Sequence, residues 1–265
     1  MLTMLLFFLA LGAVAGVLAG LLGIGGGLVL VAALAWFLPL HGVPREVAMH
    51  AALASSMASI ILTATSSAWS HHRRGGVLWS TVAWLVPGIL VGAWFGSRFA
   101  IGLDGEVLKW CVAGYCFVVG TQMALSRARK GSGRGDIAPR GAPMVAAGGG
   151  IGAVSAVVGI GGGSMTVPLL VWLGVAPVRA VGTSSACGVF IGLSAAAGYA
   201  LQAPAGALPA HAVGYVYLPA AIGVAVASVL AAPLGTRLAH AISGAALKRV
   251  FAGFLFLVGL SLVLW

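Results

Sequence analysis

Charged residues are scarce in this sequence. They make up 7% of the 265 residues, whereas 61% of the residues are hydrophobic. An average soluble domain carries about 25% charged residues. Together with a mean hydropathy of +1.11, this composition excludes an ordinary soluble domain and indicates an integral membrane protein.

Acidic side chains are rarer still. The four are Glu46, Asp104, Glu106 and Asp136, and all lie in or beside predicted loops. Carboxylates in the middle of membrane segments are typical of proton relays and of sodium sites. Their absence argues against a transport mechanism in which Asp or Glu binds the coupling ion.

The sequence also lacks the motifs of common enzyme and metal sites. It contains no GxxxxGK[ST] and no HExxH pattern. Its cysteines, Cys111, Cys116 and Cys187, lie in apolar segments without metal-ligand spacing. We therefore expect small buried thiols, no metal, no cofactor and no enzymatic activity.

Basic residues, by contrast, are in excess, with 14 Lys and Arg and a net charge of +10. Nucleic-acid-binding proteins share such an excess. Here the basic residues are confined to short loops between apolar segments, as the positive-inside rule describes for membrane proteins. We expect contact with a lipid bilayer and no nucleic-acid partner.

Glycine is abundant, and it reveals a duplication. The pentapeptide GIGGG occurs at residues 23–27 and again at 159–163, an offset of 136 residues. Trp36 and Trp172 match at the same offset. Further along, Lys109 matches Lys248 at an offset of 139. The chain thus reads as two homologous repeats.

Each GIGGG interrupts a long apolar stretch. Residues 2–40 and 142–178 contain no charged side chain. As one helix, 39 residues would span roughly 58 Å, against about 30 Å of bilayer hydrocarbon. Since each glycine in a helix costs about 1 kcal/mol relative to alanine, we predict a helix, a bare backbone turn and a second, shorter helix in each repeat.

The fold predicted from these patterns is an all-α integral membrane protein of two repeats. Each repeat has a glycine-broken helix followed by about three further spanning helices. The predicted parts are a first transmembrane repeat at 1–126, a basic cytoplasmic linker at 127–142 and a second transmembrane repeat at 143–265.

The basic loops favour an inverted arrangement of the repeats. Loops 71–74 and 127–140 are basic and predicted to be cytoplasmic. The loop at 98–109 carries two basic residues, and its counterpart in the second half carries three. Inversion requires an odd number of crossings per half, such as a broken-helix pair plus three spans. A parallel arrangement with four spans per half remains the alternative.

The broken helices predict an anion site. A helix N-terminus presents unpaired N–H groups and a partial positive charge, and glycine leaves the backbone accessible. Serine and threonine on the following helices add hydroxyl donors. The competing interpretation is a structural kink with close packing. The predicted substrate-binding residues are Gly25, Gly26, Gly27, Ser55, Ser56, Gly161, Gly162, Gly163, Thr183, Ser184 and Ser185.

With these motifs the chain resembles the TauE/SafE family of sulfite exporters. GIGGG followed by an apolar half-helix occurs in both halves, Pro168 stands at the expected place, and AVGTS at 180–184 is similar to a family motif. The resemblance implies a multi-pass cell-membrane permease that exports sulfite or related organosulfonates. Ala32, where the second half has Pro168, suggests an asymmetric site to which the second half contributes more.

These observations lead to one expected function and two rivals. We expect a permease that moves a small anion, a sulfur oxyanion or sulfonate, by alternating access between the two repeats. An anion channel is the first rival, and a membrane scaffold or assembly protein is the second. The exact substrate, direction, coupling ion and oligomeric state do not follow from the sequence.

Overall fold

The structure is a computed structural model that describes residues 2–22, 26–125, 138–202, 208, 211–241 and 244–264. It is helical except for one short β-hairpin of strands β1 and β2. This confirms the all-α prediction. The elements are α1 (Leu2–Leu22), α2 (Gly27–Phe37), α3 (Arg45–His72), α4 (Trp79–Ile101), α5 (Gly105–Leu125), α6 (Ala142–Val158), α7 (Gly163–Trp172), α8 (Pro177–Ala200), β1 (Ala212–Val213), β2 (Val216–Tyr217), α9 (Leu218–Ala241) and α10 (Gly244–Val263).

Within the described residues, five helices are long and apolar enough to cross a bilayer. They are α3, α4, α5, α8 and the Leu218–Leu238 part of α9. The most enclosed of them are α3 and α8, with 78% and 72% of their apolar windows buried inside the protein. The core therefore lies along α3 and α8, and the other helices surround it.

Both glycine runs end a long helix and start a short one, as predicted. In the first half the short helix folds back along the long one, because Phe37 at the end of α2 stacks on Phe7 near the start of α1, with ring centroids 3.9 Å apart. This pair is a hairpin, not one kinked rod. In the second half the chain turns at the break, where Gly162 lies beside Ile151 and Ser155 of α6.

Small residues allow two helix pairs to pack backbone to backbone. A Cβ on Gly16 of α1 would lie 2.5 Å from the carbonyl oxygen of Ser228 in α9. A Cβ on Gly152 of α6 would lie 2.5 Å from the carbonyl oxygen of Ile89 in α4. In both pairs the two helices run in the same direction, and each pair joins one half of the chain to the other.

The two central helices run antiparallel. The hydroxyl of Ser67 in α3 bonds that of Ser185 in α8 at 3.0 Å. The carbonyl of Met57, earlier in α3, lies against Gly192, later in α8. Helices α5 and α10 are also antiparallel: Gly120 contacts Leu255, whereas the earlier Cys116 contacts the later Gly259.

Most of the predicted linker at 127–142 lies outside the described residues, which resume at 138. Its last residue, Ala142, is the first residue of α6. Loop 71–74 is shorter than predicted, because α3 continues to His72.

Candidate functional site

The two glycine breaks meet in the middle of the bundle. A Cβ added to Gly27, the first residue of α2, would lie 2.3 Å from the carbonyl oxygen of Gly159 and 3.0 Å from the Cα of Ile160. No side chain larger than hydrogen fits between these two backbones. The duplicated motif thus brings two bare backbone segments into contact, the start of α2 and the residues that follow α6.

Left-handed backbone explains Gly26 in the first break and both Gly159 and Gly162 in the second. Gly26 and Gly162 are the N-caps of α2 and α7, with φ of 67° and 74°. Residues with a Cβ rarely adopt this conformation. Neither cap has a side-chain hydrogen bond. The first N–H groups of each short helix are therefore not capped by the side chain of the N-cap residue.

Ser56 joins the two breaks. Its Oγ lies 3.3 Å from the carbonyl oxygen of Gly27 and 3.2 Å from that of Gly159, and it donates to this pair of acceptors. The side chain is fully buried. This predicted site residue therefore lies where it was expected, and its hydroxyl contacts backbone from both halves.

Ser55 and Thr183, also predicted to bind substrate, are engaged elsewhere. The Oγ of Ser55 accepts from the backbone N–H of Tyr217 at 2.9 Å. The Oγ1 of Thr183 accepts from the backbone N–H of Leu78 at 3.0 Å. Ser55 thus holds the residue that precedes α9, and Thr183 holds the residue that precedes α4.

The remaining predicted hydroxyls lie on α8. Ser184 is fully buried. Ser185 bonds the carbonyl of Val181 at 3.1 Å and the hydroxyl of Ser67 at 3.0 Å, so it links α8 to α3. Of the predicted glycines, Gly25 lies outside the described residues. Gly161 lies against Gly188 of α8, and Gly163 is the first residue of α7.

Four residues near the second break were missed by the sequence analysis. Tyr115 in α5 bonds Ser164 in α7, with hydroxyl oxygens 2.5 Å apart. Ser155 and Thr166 are fully buried beside them. A signal existed: at the repeat offset, apolar residues occupy their positions in the first half. Comparing the repeats for differences as well as identities would have found them.

Charged groups lie away from the breaks in the part of the chain that the structure describes. Glu46 and Glu106 occupy the first turns of α3 and α5, and Asp104 lies in the loop before α5. Glu106 pairs with Lys109 at 2.8 Å. The described residues include no cluster of His, Cys, Asp or Glu able to hold a metal ion. Donors at the breaks are therefore backbone N–H groups and hydroxyls.

The short β-hairpin closes the end of the bundle near the start of α3. Its Tyr215 stacks on His50, whose Nε2 lies 3.0 Å from the carbonyl oxygen of Leu103. Burial raises the pKa of the Tyr215 phenol, so this hydroxyl stays neutral at physiological pH. His50 is thus a packed residue at a helix start.

The thiols match the sequence prediction in part. Cys116 and Cys187 are buried and Cys111 is exposed, and all three are free. The exposed Cys111 lines an apolar cavity of about 560 Å³ on the outer side of α4, α5 and α6.

The helices first identify the class of protein. Spanning helices around two antiparallel central helices, with half-length helices starting inside the bundle, make a multi-pass membrane protein. Residues 8–262 match the family described as "Sulfite exporter TauE/SafE". The chain belongs to this family of membrane transporters.

Relatives of known sequence carry the same general description. A probable membrane transporter protein of Haemophilus influenzae is 35% identical over 265 residues and covers the whole of both chains. One from Methanocaldococcus jannaschii is 23% identical over 99% of this chain and 97% of its own. One from Bacillus subtilis is 28% identical over 39% of each chain. No solved structure matches the chain.

Proposed function

We propose that the protein exports a small anion, sulfite or an organosulfonate, which binds where the two glycine breaks meet. The observation that carries the proposal is the contact between Gly27 and the Gly159–Ile160 backbone, at the start of α2 and just before α7. The family description, sulfite exporter, supports the class of anion.

The chemistry of the breaks favours an anion over a cation. Two short helices begin there, and a helix N-terminus carries a partial positive charge. Its first N–H groups have no acceptor within their own helix. In a low-dielectric interior such donors interact strongly with an oxyanion. Since the described acids lie at helix ends and in loops, no carboxylate repels an anion at the breaks.

The packing supports the proposal that the chain is an internal repeat. Gly16 lies against Ser228, and Gly152 lies against Ile89. The two glycines are 136 residues apart, and their two partners are 139 residues apart. These are the offsets at which the sequence itself repeats. The α1–α9 contact and the α6–α4 contact therefore involve matching positions of the two proposed repeats.

The direction of the central helices supports an inverted orientation of the repeats. If α3 and α8 are equivalent, a two-fold axis along the helices would leave them parallel. They are antiparallel, as are α5 and α10. Only an axis perpendicular to the helices relates such pairs, and in a membrane that axis lies in the bilayer plane. The hairpin α1–α2 adds no net crossing, so the spanning helices α3, α4 and α5 leave three crossings in the first half.

An inverted repeat supplies a route to alternating access. Exchanging the conformations of two equivalent halves opens the shared site to the opposite side of the membrane. The site between the breaks would stay fixed near the bilayer midplane, while the long helices on each side move against it.

Counterflow in proteoliposomes tests the function. Vesicles containing purified protein and unlabelled sulfite are diluted into trace labelled sulfite. A carrier predicts a transient, saturable accumulation of label, with sulfoacetate tested in parallel. A channel gives no accumulation above equilibrium, and a scaffold gives no protein-dependent flux. Either result with both anions would overturn the proposal.

A further inference from the structure

Unpaired hydroxyls are rare in the described interior of this protein. Many buried hydroxyls bond to the carbonyl three or four residues earlier, as Thr63 does to Ser59 and Thr236 to Ala232, and others bond across helices, as Ser56 does. Among the described side chains, only three buried hydroxyls have no partner, those of Thr81, Ser155 and Thr166. An unpaired buried hydroxyl costs about 1–3 kcal/mol. Two of the three flank the start of α7.

Both orphan hydroxyls lie at the first turn of α7. The Oγ of Ser155, which is fully buried, is 3.4 Å from the point that a Cβ on Gly162 would occupy. Thr166, also fully buried, is four residues after Gly162 and so lies over it on the same side of the turn. The N–H groups of Met165 and Thr166 bond to the carbonyl of Gly162. Those of Gly163 and Ser164 come before any acceptor in their own helix.

A third donor comes from a pair of hydroxyls. Tyr115 and Ser164 have oxygens 2.5 Å apart, and either one can be the donor. The pair carries two protons and its internal bond uses one of them. The second proton is free to point toward a ligand at the start of α7. Tyr115 also holds the Ser164 side chain in one position.

The first break lacks all of these groups. At the repeat offsets, Ala19 stands in place of Ser155, Leu28 in place of Ser164, Leu30 in place of Thr166 and Phe254 in place of Tyr115. Both short helices begin after a left-handed glycine cap, and the side chains at these four pairs of positions differ in their donors. A structural need for hydroxyls at such a break would apply to both halves.

We infer that the anion is held on the second-half side of the junction by the hydroxyls of Ser155, Ser164 and Thr166 together with the first N–H groups of α7, while Tyr115 positions Ser164. The inference rests on the proposed function and gives it a specific binding site. At the corresponding positions the first half has only apolar side chains. A compact oxyanion with several acceptor oxygens, such as sulfite or a sulfonate group, matches this set of donors.

The polarity of α7 selects the anion over a cation. Hydroxyl oxygens can also bind metal ions, but the partial positive charge of the helix N-terminus disfavours a cation there. Buried water is the alternative occupant, because ordered waters pair such groups in many proteins.

Equilibrium binding of labelled sulfite to purified full-length protein tests the inference. The variants are Ser155→Ala and Thr166→Val, and the control is Thr236→Ala, whose buried hydroxyl bonds the Ala232 carbonyl of its own helix. We expect each test variant to raise the Kd for sulfite about tenfold or more, because each loses a hydrogen bond to a charged ligand. The melting temperature without sulfite should stay constant or rise, since an unpaired buried group is removed. Thr236→Ala should leave the Kd unchanged.

The outcomes separate the inference from the function on which it rests. Wild-type protein that binds sulfite, with unchanged Kd and lowered melting temperatures in both test variants, would assign the hydroxyls to structural water and overturn the inference alone. Wild-type protein that binds neither sulfite nor sulfoacetate would overturn the proposed function, and the inference with it. Tyr115→Phe provides a further check: it should weaken sulfite binding, and the loss of its bond to Ser164 should also lower the melting temperature.

Discussion

At the scale of single residues, adjacent positions in one helix have different roles. Ser55 and Ser56 are neighbours in α3, yet Ser56 bonds both glycine breaks and Ser55 bonds the segment before α9. Consecutive helix residues are rotated by about 100°, so both hydroxyls cannot face one site. The sequence predicted that polar residues follow each break. Which of two neighbours faces the break depends on tertiary packing, which a local motif does not encode.

Ser56 yields a prediction about stability. Ser56→Ala removes the hydroxyl shared by the carbonyls of Gly27 and Gly159, both buried, and should lower the free energy of unfolding by about 1–3 kcal/mol. Ser59→Ala is the matched control, because its hydroxyl bonds only the Ser56 carbonyl of its own helix. Thermal unfolding of the detergent-solubilised protein measures both. Equal melting temperatures for the two variants would contradict the role given to Ser56.

At the scale of helices, the breaks were predictable and their consequences were not. A glycine run inside an apolar stretch too long for the bilayer predicts that the helix ends, and both helices end there. The sequence does not say that α2 folds back, nor that α1 packs on α9. The pairing of α1 with α9 joins residues about 210 positions apart, as Gly16 and Ser228 are, and nothing in a local periodicity specifies a partner so distant.

Close packing of α1 on α9 predicts a contrast between two glycines. Gly16→Ala places a methyl group 2.5 Å from the Ser228 carbonyl, and overpacking of this kind costs about 1–3 kcal/mol. Gly114 in α5 has no neighbour within 4 Å of its added Cβ, so Gly114→Ala should be neutral or stabilise by up to about 1 kcal/mol. Melting temperatures of the two variants in the same detergent provide the comparison. A loss of stability in Gly114→Ala with none in Gly16→Ala would show the pairing to be wrong.

At the scale of the whole molecule, the duplication predicts topology. Arg74, after α3, and Val213, after α8, are both exposed, and the proposed repeat makes their places equivalent. Inverted repeats put them on opposite sides of the membrane, and parallel repeats put them on the same side. The basic loop assigns Arg74 to the cytoplasm.

Labelling of single cysteines measures this directly. In a background with the three native cysteines replaced by serine or alanine, we expect Val213→Cys to react with a membrane-impermeant maleimide in intact cells. Arg74→Cys should react only after the membrane is permeabilised. Labelling of both variants, or of neither, in intact cells would support parallel repeats.

In the proposed mechanism, anion passage depends on the junction of the two breaks. The most direct test is the efflux of labelled sulfite from proteoliposomes containing wild-type protein, Gly162→Val or the control Gly150→Val. Gly162 has a φ of 74° and a packed environment, whereas Gly150 faces open space on α6. With all three proteins inserted and monodisperse, the account predicts efflux from the wild type and Gly150→Val and a loss of at least about tenfold in Gly162→Val. Equal efflux from all three would contradict it.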